Sequence, residues 1–405
     1  MRPSFSVTQI SQTLESYEKR PYPGTDKTAQ IKKAWDRVPM EWIRALWKPT
    51  QKDLAPERAF VAGCGTGSEA FAMQRRFPKA QIVAVDFSPR SISIARNLQQ
   101  RTRQMRNIRF HVANLARRNL GKITGGDFDF ISCHGVLSYV PEPERVLANL
   151  RRQLKADGAL YLGVNGATHF GVGGRLFLPE FGFDMAELRD GPYLRKLLKL
   201  WDGILDCRGS EKCARLSATY LASDLFCSIM HNLPLSHWVG MARNAGLHLQ
   251  SNHCSWRGIR SAIEKDPSHL LIPRSRAQVC QLVEFLRPAD FHRLLFTRQT
   301  MANPPWESAE ALRICRPVLT NLYGMQLPKR AHSWETLTRV AFKSPAMNTR
   351  LDWKMTEWEL EILRRSDGRR SIDMILERTP AAAPPDLLRQ HLYDLHQLLV
   401  VTLMP

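Results

Sequence analysis

The sequence has no apolar run near the roughly 20 residues that a membrane-spanning helix needs, no CxxC pair among its eight cysteines and no internal repeat. The first absence argues against a helical membrane span and the third against a solenoid. Without paired spacing, Cys64, Cys133, Cys207, Cys213, Cys227, Cys254, Cys280 and Cys315 read as reduced thiols serving as small apolar side chains. His253 beside Cys254 is a weak candidate pair of metal-ligand type, and no metal is expected. The opening MRPSFSVTQISQTLESYEKR holds no apolar core of signal-peptide type, and Glu15 and Glu18 argue against an Arg-rich transit peptide. A cytoplasmic location is the expectation. Acidic residues are scarce too: 38 Asp and Glu face 58 Lys and Arg, a formal charge of +20, which attracts anionic partners at long range.

What is present is a chain of 405 residues, 43% hydrophobic, with enough apolar content for two or three units. Residues 6–18 read as a helix, the Pro21-Tyr22-Pro23-Gly24 run must break it, and a second helix is expected from Thr28 to about Trp47. From Ala59 to Val164 the β-rich runs AFVAG, AQIVAVD, IRFHVA, FDFISCHG and GALYLGV alternate with helical patterns, the mark of βαβ units on a parallel sheet. Gly166 to Gly174 reads as a hinge, beyond which few strands are expected. The expected layout is an N-terminal helical lid (1–54), an α/β Rossmann-like domain (55–165), a mostly helical substrate cap (166–345) and a small helical or winged-helix unit (346–405).

Three glycines in Ala62-Gly63-Cys64-Gly65-Thr66-Gly67 follow a strand and precede a helix, where backbone must turn tightly and pass close to a ligand. Nineteen residues beyond Gly67 the strand AQIVAVD ends in Asp86, next to Phe87. Its carboxylate can accept bonds from both hydroxyls of a ribose, or can cap the helix beginning at Ser88. A third strand leads to Asn114 and Leu115, and the Asn114 amide is a candidate for an adenine edge. A fourth ends at His134.

GCGTG, VDFSPRSISIAR and FDFISCHGVLSYVPEPERVLANLRRQLKADGALYL, in this order, resemble successive motifs of class I S-adenosylmethionine (SAM)-dependent methyltransferases over about residues 55–165. The resemblance implies SAM as cofactor, held by Ala62 to Gly67, Asp86, Phe87, Asn114, Leu115 and His134. A narrower resemblance is to bacterial TPR-associated methyltransferases and protein-lysine methyltransferases with a regulatory domain. It rests on VAGCGTG followed by Glu69, on Cys133-His134-Gly135-Val136-Leu137, on Ser223-Asp224-Leu225-Phe226 and on Ala245-Gly246-Leu247. Two positions depart from the class I pattern. Val61 stands where a carboxylate usually helps to hold the methionine end, and Asn114 where Asp is commoner; Asn keeps an acceptor and loses the charge.

Methyl transfer from a sulfonium needs alignment more than dedicated catalytic groups, but an amine or hydroxyl acceptor must lose a proton. His134, Tyr139 and Tyr22 are the candidate residues for that role; each has a packing role as its alternative. Between Phe87 and Gly126 there is no acidic residue, while Arg90, Arg96, Arg101, Arg103, Arg106, Arg109, Arg117, Arg118 and Lys122 fall there. Such a stretch is either a solvated face or a contact for nucleic acid phosphates. Three functions follow: methylation of a protein side chain or small metabolite, RNA methylation guided by the basic face, or a scaffold without catalysis.

Overall fold

In the computed structural model the residues described are 7–19, 21–22, 38–51, 55–102, 105–169, 227–265, 274–300, 303–325, 327, 337–378 and 383–404. The alternation from Ala59 folds as a sheet whose strands are β1 (Arg58–Ala62), β2 (Gln81–Asp86), β3 (Ile108–Val112), β4 (Phe128–His134) and β5 (Leu154–Asn165), with β6 (His248–Asn252) and β7 (Phe291–Thr297) added later in the chain. Their order is β3-β2-β1-β4-β5-β7-β6. β1 to β5 pair in parallel, and β7 lies antiparallel to β5 over Ala159↔Thr297 to Asn165↔Phe291. The mixed α/β Rossmann-like architecture is the one expected from the strand and helix pattern.

The strands are near-continuous apolar runs because helices cover both faces of a parallel sheet. Ile82, Val83, Ala84 and Val85 are buried in succession, and Phe60 stacks on Phe128 at 5.2 Å. Asp129 pins the strand starts together: its carboxylate accepts the backbone N–H groups of Glu57 and Arg58 at 2.9 and 2.8 Å and an ion pair from Lys155 at 2.6 Å. The strand order reverses at β1, which lies between β2 and β4. At such a switch point the loops leaving two neighbouring strands diverge and open a crevice at their carboxyl ends.

The chain divides into two compact units, one of residues 1–38, 55–248 and 288–298, the other of 39–54, 249–287 and 299–405. These limits differ from the expected boundaries at 54, 165 and 345. The reason is non-local pairing: Phe291–Thr297 returns to the first sheet, so the chain beyond Gly166 cannot be one separate cap. Gly166, the first residue of the expected hinge, is bonded to the segment that leads into β7. Its N–H donates to Asp290 O at 2.8 Å, and a Cβ there would stand 1.9 Å from Ala289 O. Residues 170–226, with the rest of the glycine-rich stretch and the Ser223–Phe226 motif, lie outside the described residues, as do residues 28–37 of the helix expected from Thr28 to about Trp47, whose later part is helical over Met40–Leu46.

The second unit carries more strand than the sequence pattern suggested. β9 (Gly324–Met325), β10 (Thr338–Ser344) and β11 (Thr349–Met355) form an antiparallel sheet, while β8 (Arg316–Leu319) pairs with β12 (Val401–Met404). Helices Glu357–Arg365, Ile372–Leu376 and Pro385–Gln397 accompany them. Trp306 packs edge-on to Tyr393 at 5.0 Å, Trp358 edge-on to His391 at 5.5 Å, and His391 Nδ1 lies 2.9 Å from the Glu359 carboxylate. His253 in this unit rings against Trp42 at 5.4 Å. Among the described residues no group of His, Cys, Asp or Glu is arranged to hold a metal ion, and no helix is long and apolar enough to cross a membrane.

Candidate active site

A cavity opens at the carboxyl ends of β1, β2 and β4. Its floor is the glycine loop. Gly63, Gly65 and Gly67 have φ of +76°, +52° and +87°, a region that L side chains rarely adopt. A Cβ on Gly63 would stand 2.3 Å from Val136 Cγ2, so this glycine also lets the β1 and β4 exit loops approach each other. The Gly63 and Cys64 N–H groups donate to Val85 O at 2.8 and 2.9 Å, tying the turn to β2.

Asp86 joins the loop to the next helix. One carboxylate oxygen accepts Gly65 N–H at 2.9 Å and the other accepts Ser88 N–H at 2.9 Å. Both sequence readings of Asp86 thus meet in one side chain: it orders the helix start and it faces the cavity. Burial raises its pKa against the opposing pull of these N–H bonds. Burial, then the neighbouring Asp86 charge, raise the Cys64 thiol well above its ordinary value, so Cys64 is a packing residue and not a thiolate nucleophile.

Of the residues predicted from sequence, Gly63, Cys64, Gly65, Asp86, Phe87, Asn114, Leu115, His134, Tyr139 and Tyr22 all line this one cavity. Ala62, Thr66 and Gly67 are not among its lining residues. Ala62 ends β1 inside the sheet, Thr66 is 2% exposed with its N–H bonded to Tyr22 O at 3.1 Å, and Gly67 faces Ala95 and Phe110, where a Cβ would meet atoms at 3.0 and 3.1 Å. Its glycine serves the close approach of helix to sheet.

The loop after β3 is held from beneath. Buried Asn149, in the helix Pro143–Gln153, donates to Leu115 O at 2.6 Å and Arg117 O at 3.0 Å. Asn114 Oδ1 accepts Ala116 N–H at 2.8 Å, which fixes the amide plane at the cavity edge. After β4, His134 stacks parallel to buried Tyr161 and its Nδ1 lies 3.0 Å from the Tyr161 hydroxyl. Gly163 makes that position available: a Cβ there would stand 2.4 Å from His134 Nδ1. Tyr139 Oη accepts from Asn165 Nδ2 at 3.1 Å, and Asn165 in turn donates to Asn232 Oδ1 at 3.1 Å and takes Trp238 Nε1–H on its carbonyl at 2.9 Å.

The N-terminal helix Val7–Lys19 forms the remaining wall, with Ile10, Thr13 and Tyr17 lining the cavity. These positions fall on one helical face, a spacing visible in the sequence although its docking partner was not. Tyr17 meets Phe87 edge-on at 5.6 Å. Glu18 accepts from the Ser88 hydroxyl and from Arg90 N–H, and Arg90 Nη1 reaches Glu18 O at 2.8 Å. Sequence reasoning did not assign site roles to Glu69, Ser91 or Glu142, which also line the cavity.

Among the described residues the lining carries three carboxylates, Glu69, Asp86 and Glu142, and no Lys or Arg. In a chain of charge +20 this is an acidic recess suited to a cationic ligand. The donor set fits SAM: a glycine turn without side chains, an acid at the end of β2, an amide after β3, and, among the described residues, carboxylates as the charged side chains of the lining.

Residues 60–160 match the family described as "Methyltransferase domain". The malonyl-acyl-carrier protein O-methyltransferase of Bacillus cereus is 29% identical over 128 residues, covering 32% of this chain and 45% of that protein. Its counterpart from Laribacter hongkongensis is 27% identical over 174 residues, 36% of this chain and 58% of that one. The chain thus spans about half the length of these curated relatives. The solved structure of PKMT2 from Rickettsia typhi in complex with AdoHcy superposes with a TM-score of 0.56 over 92% of this chain and 76% of that chain, at 14% identity, a likeness of fold. Residues 60–160 are thus similar to a methyltransferase domain, and the fold around them is like that of the solved PKMT2 structure.

Proposed function

We propose that this protein transfers a methyl group from SAM to a protein side chain or a small metabolite, using the cavity at the ends of β1, β2 and β4. The observation that carries this reading is the convergence of the glycine loop, Asp86, Asn114 and His134 on one recess whose described lining carries three carboxylates. SAM, when bound there, supplies an electrophilic methyl carbon. Asp86 receives the ribose hydroxyls on its remaining lone pairs, and Phe87, Leu115 and the Asn114 amide receive the adenine. Tyr17 and Tyr22 enclose the recess from the N-terminal side and exclude water, which keeps electrostatic contacts strong.

His134 is the group assigned to take the acceptor's proton. Its contact with Tyr161 fixes the ring at the cavity wall, and an imidazole can exchange a proton near neutral pH. Tyr139, held by Asn165, orients the acceptor. Exposure of Arg90, Arg96, Arg101, Arg106, Arg109, Arg117, Arg118 and Lys122 supports a second reading, in which RNA is the acceptor. A cytoplasmic site of action belongs to the same proposal.

Methyl-labelled SAM added to cell extract with the protein, followed by separation into protein, RNA and small-molecule fractions, tests the reading. Label is expected in the protein or small-molecule fraction and lost in His134→Ala. Label in RNA alone selects the second reading, and no label in any fraction refutes both.

A further inference from the structure

We infer that Glu69 is the residue that receives the cationic ammonium group at the methionyl end of SAM; this rests on the proposed function and specifies one contact within it. Three observations bring the assignment to Glu69. The first is its place: it stands in the first turn of the helix Ser68–Arg76, next to the glycine loop, and lines the cavity. A carboxylate in that turn is stabilised in its ionised form by the unpaired N–H groups of the helix start.

The second is the bond that orients it. Ser132 Oγ, fully buried on β4, donates to Glu69 Oε1. Ser132 is the register partner of Val61 on β1, and paired residues of neighbouring strands project from the same face of a sheet. The Glu69 carboxylate is therefore drawn to a point beside the Val61 side chain. The aliphatic Val61 carries no charge there, and the helix supplies one from above.

The third is elimination among the other carboxylates. Asp86 stands at the end of β2 beside Phe87, where it is assigned to the ribose hydroxyls. Glu142 is exposed and paired with Arg145 at 3.1 Å, which offsets its charge. Glu69 is the acid beside both the glycine loop and β4.

Glu69→Gln tests this, because an amide can still accept from Ser132 while losing the charge. Two probes are titrated by calorimetry: S-adenosylhomocysteine, which has the amino-acid end, and 5′-methylthioadenosine, which lacks it. In Glu69→Gln the affinity for S-adenosylhomocysteine should fall about 10- to 100-fold, the scale of one charge-assisted hydrogen bond, while that for methylthioadenosine stays within about twofold. Glu69→Asp, which keeps the charge, should recover part of the loss. Equal loss for both probes, or no loss for either, overturns the assignment to Glu69 and leaves SAM binding intact. Failure of the unaltered protein to bind either probe overturns the proposed function and this inference with it.

Discussion

Gly63→Ala isolates what the glycine loop contributes. The perturbation has two separable parts. At φ of +76° an alanine is placed in the left-handed region, at a cost of about 1–2 kcal/mol. Its Cβ would also lie 2.3 Å from Val136 Cγ2 and 2.9 Å from Val136 Cγ1, an overlap that costs a further ~1–3 kcal/mol as the β4 exit loop shifts. Denaturant unfolding of the full chain should therefore register a loss of about 2–5 kcal/mol in the unit that contains the loop. Val136→Ala in the same chain removes both offending methyl groups and should return the ~1–3 kcal/mol steric part, leaving the backbone part in place. S-adenosylhomocysteine affinity should fall in the single variant and recover only partly in the double. A Gly63→Ala protein within about 0.5 kcal/mol of the parent, a difference too small for either mechanism, would refute the loop geometry on which the site is built.

Gly163→Ala should push the His134 ring off Tyr161, since the new Cβ would stand 2.4 Å from Nδ1. The expected result is a loss of turnover that exceeds the loss of S-adenosylhomocysteine affinity, measured on the same preparation. Asn149→Ala should leave the Leu115 and Arg117 carbonyls without their buried donor, costing about 1–3 kcal/mol of stability and weakening adenosine binding through the loosened loop. Burial pushes the His292 imidazole down to about 4, whereas the unfolded chain takes up that proton near pH 6.5. Between these values the unfolded state holds the extra proton, so stability is lost as pH falls, by about 3 kcal/mol across the window. Comparing urea midpoints of the parent and His292→Gln from pH 7 to pH 4 checks the size and the sign.

The first sheet was legible because its strands are short apolar runs ending in chemically specific residues: AQIVAVD stops at Asp86 and FDFISCH at His134, where β2 and β4 end. The glycine loop was legible as a turn, but not which of its residues line the cavity. That depends on the third dimension, in which Gly67 meets Phe110 and Thr66 meets Tyr22. β7 could not be read because nothing local in FHRLLFT says that it pairs with a strand more than a hundred residues earlier. β10 and β11 do alternate, with Arg339, Lys343, Arg350 and Asp352 facing outward, but each run is only seven residues long and is stabilised by pairing with the other, which no local pattern states. Glu69 was visible beside the glycines, yet its place in the site follows only from the register that sets Ser132 against Val61.

The central claim is that this cavity binds SAM, and calorimetric titration of the full chain with SAM, repeated on Asp86→Ala, tests it most directly. Saturable single-site binding by the unaltered protein, weakened about 100-fold or more when the carboxylate bonded to Gly65 and Ser88 is removed, is the predicted result. An unaltered protein that gives no binding heat at millimolar SAM, or an Asp86→Ala protein that binds as tightly as the parent, would contradict it.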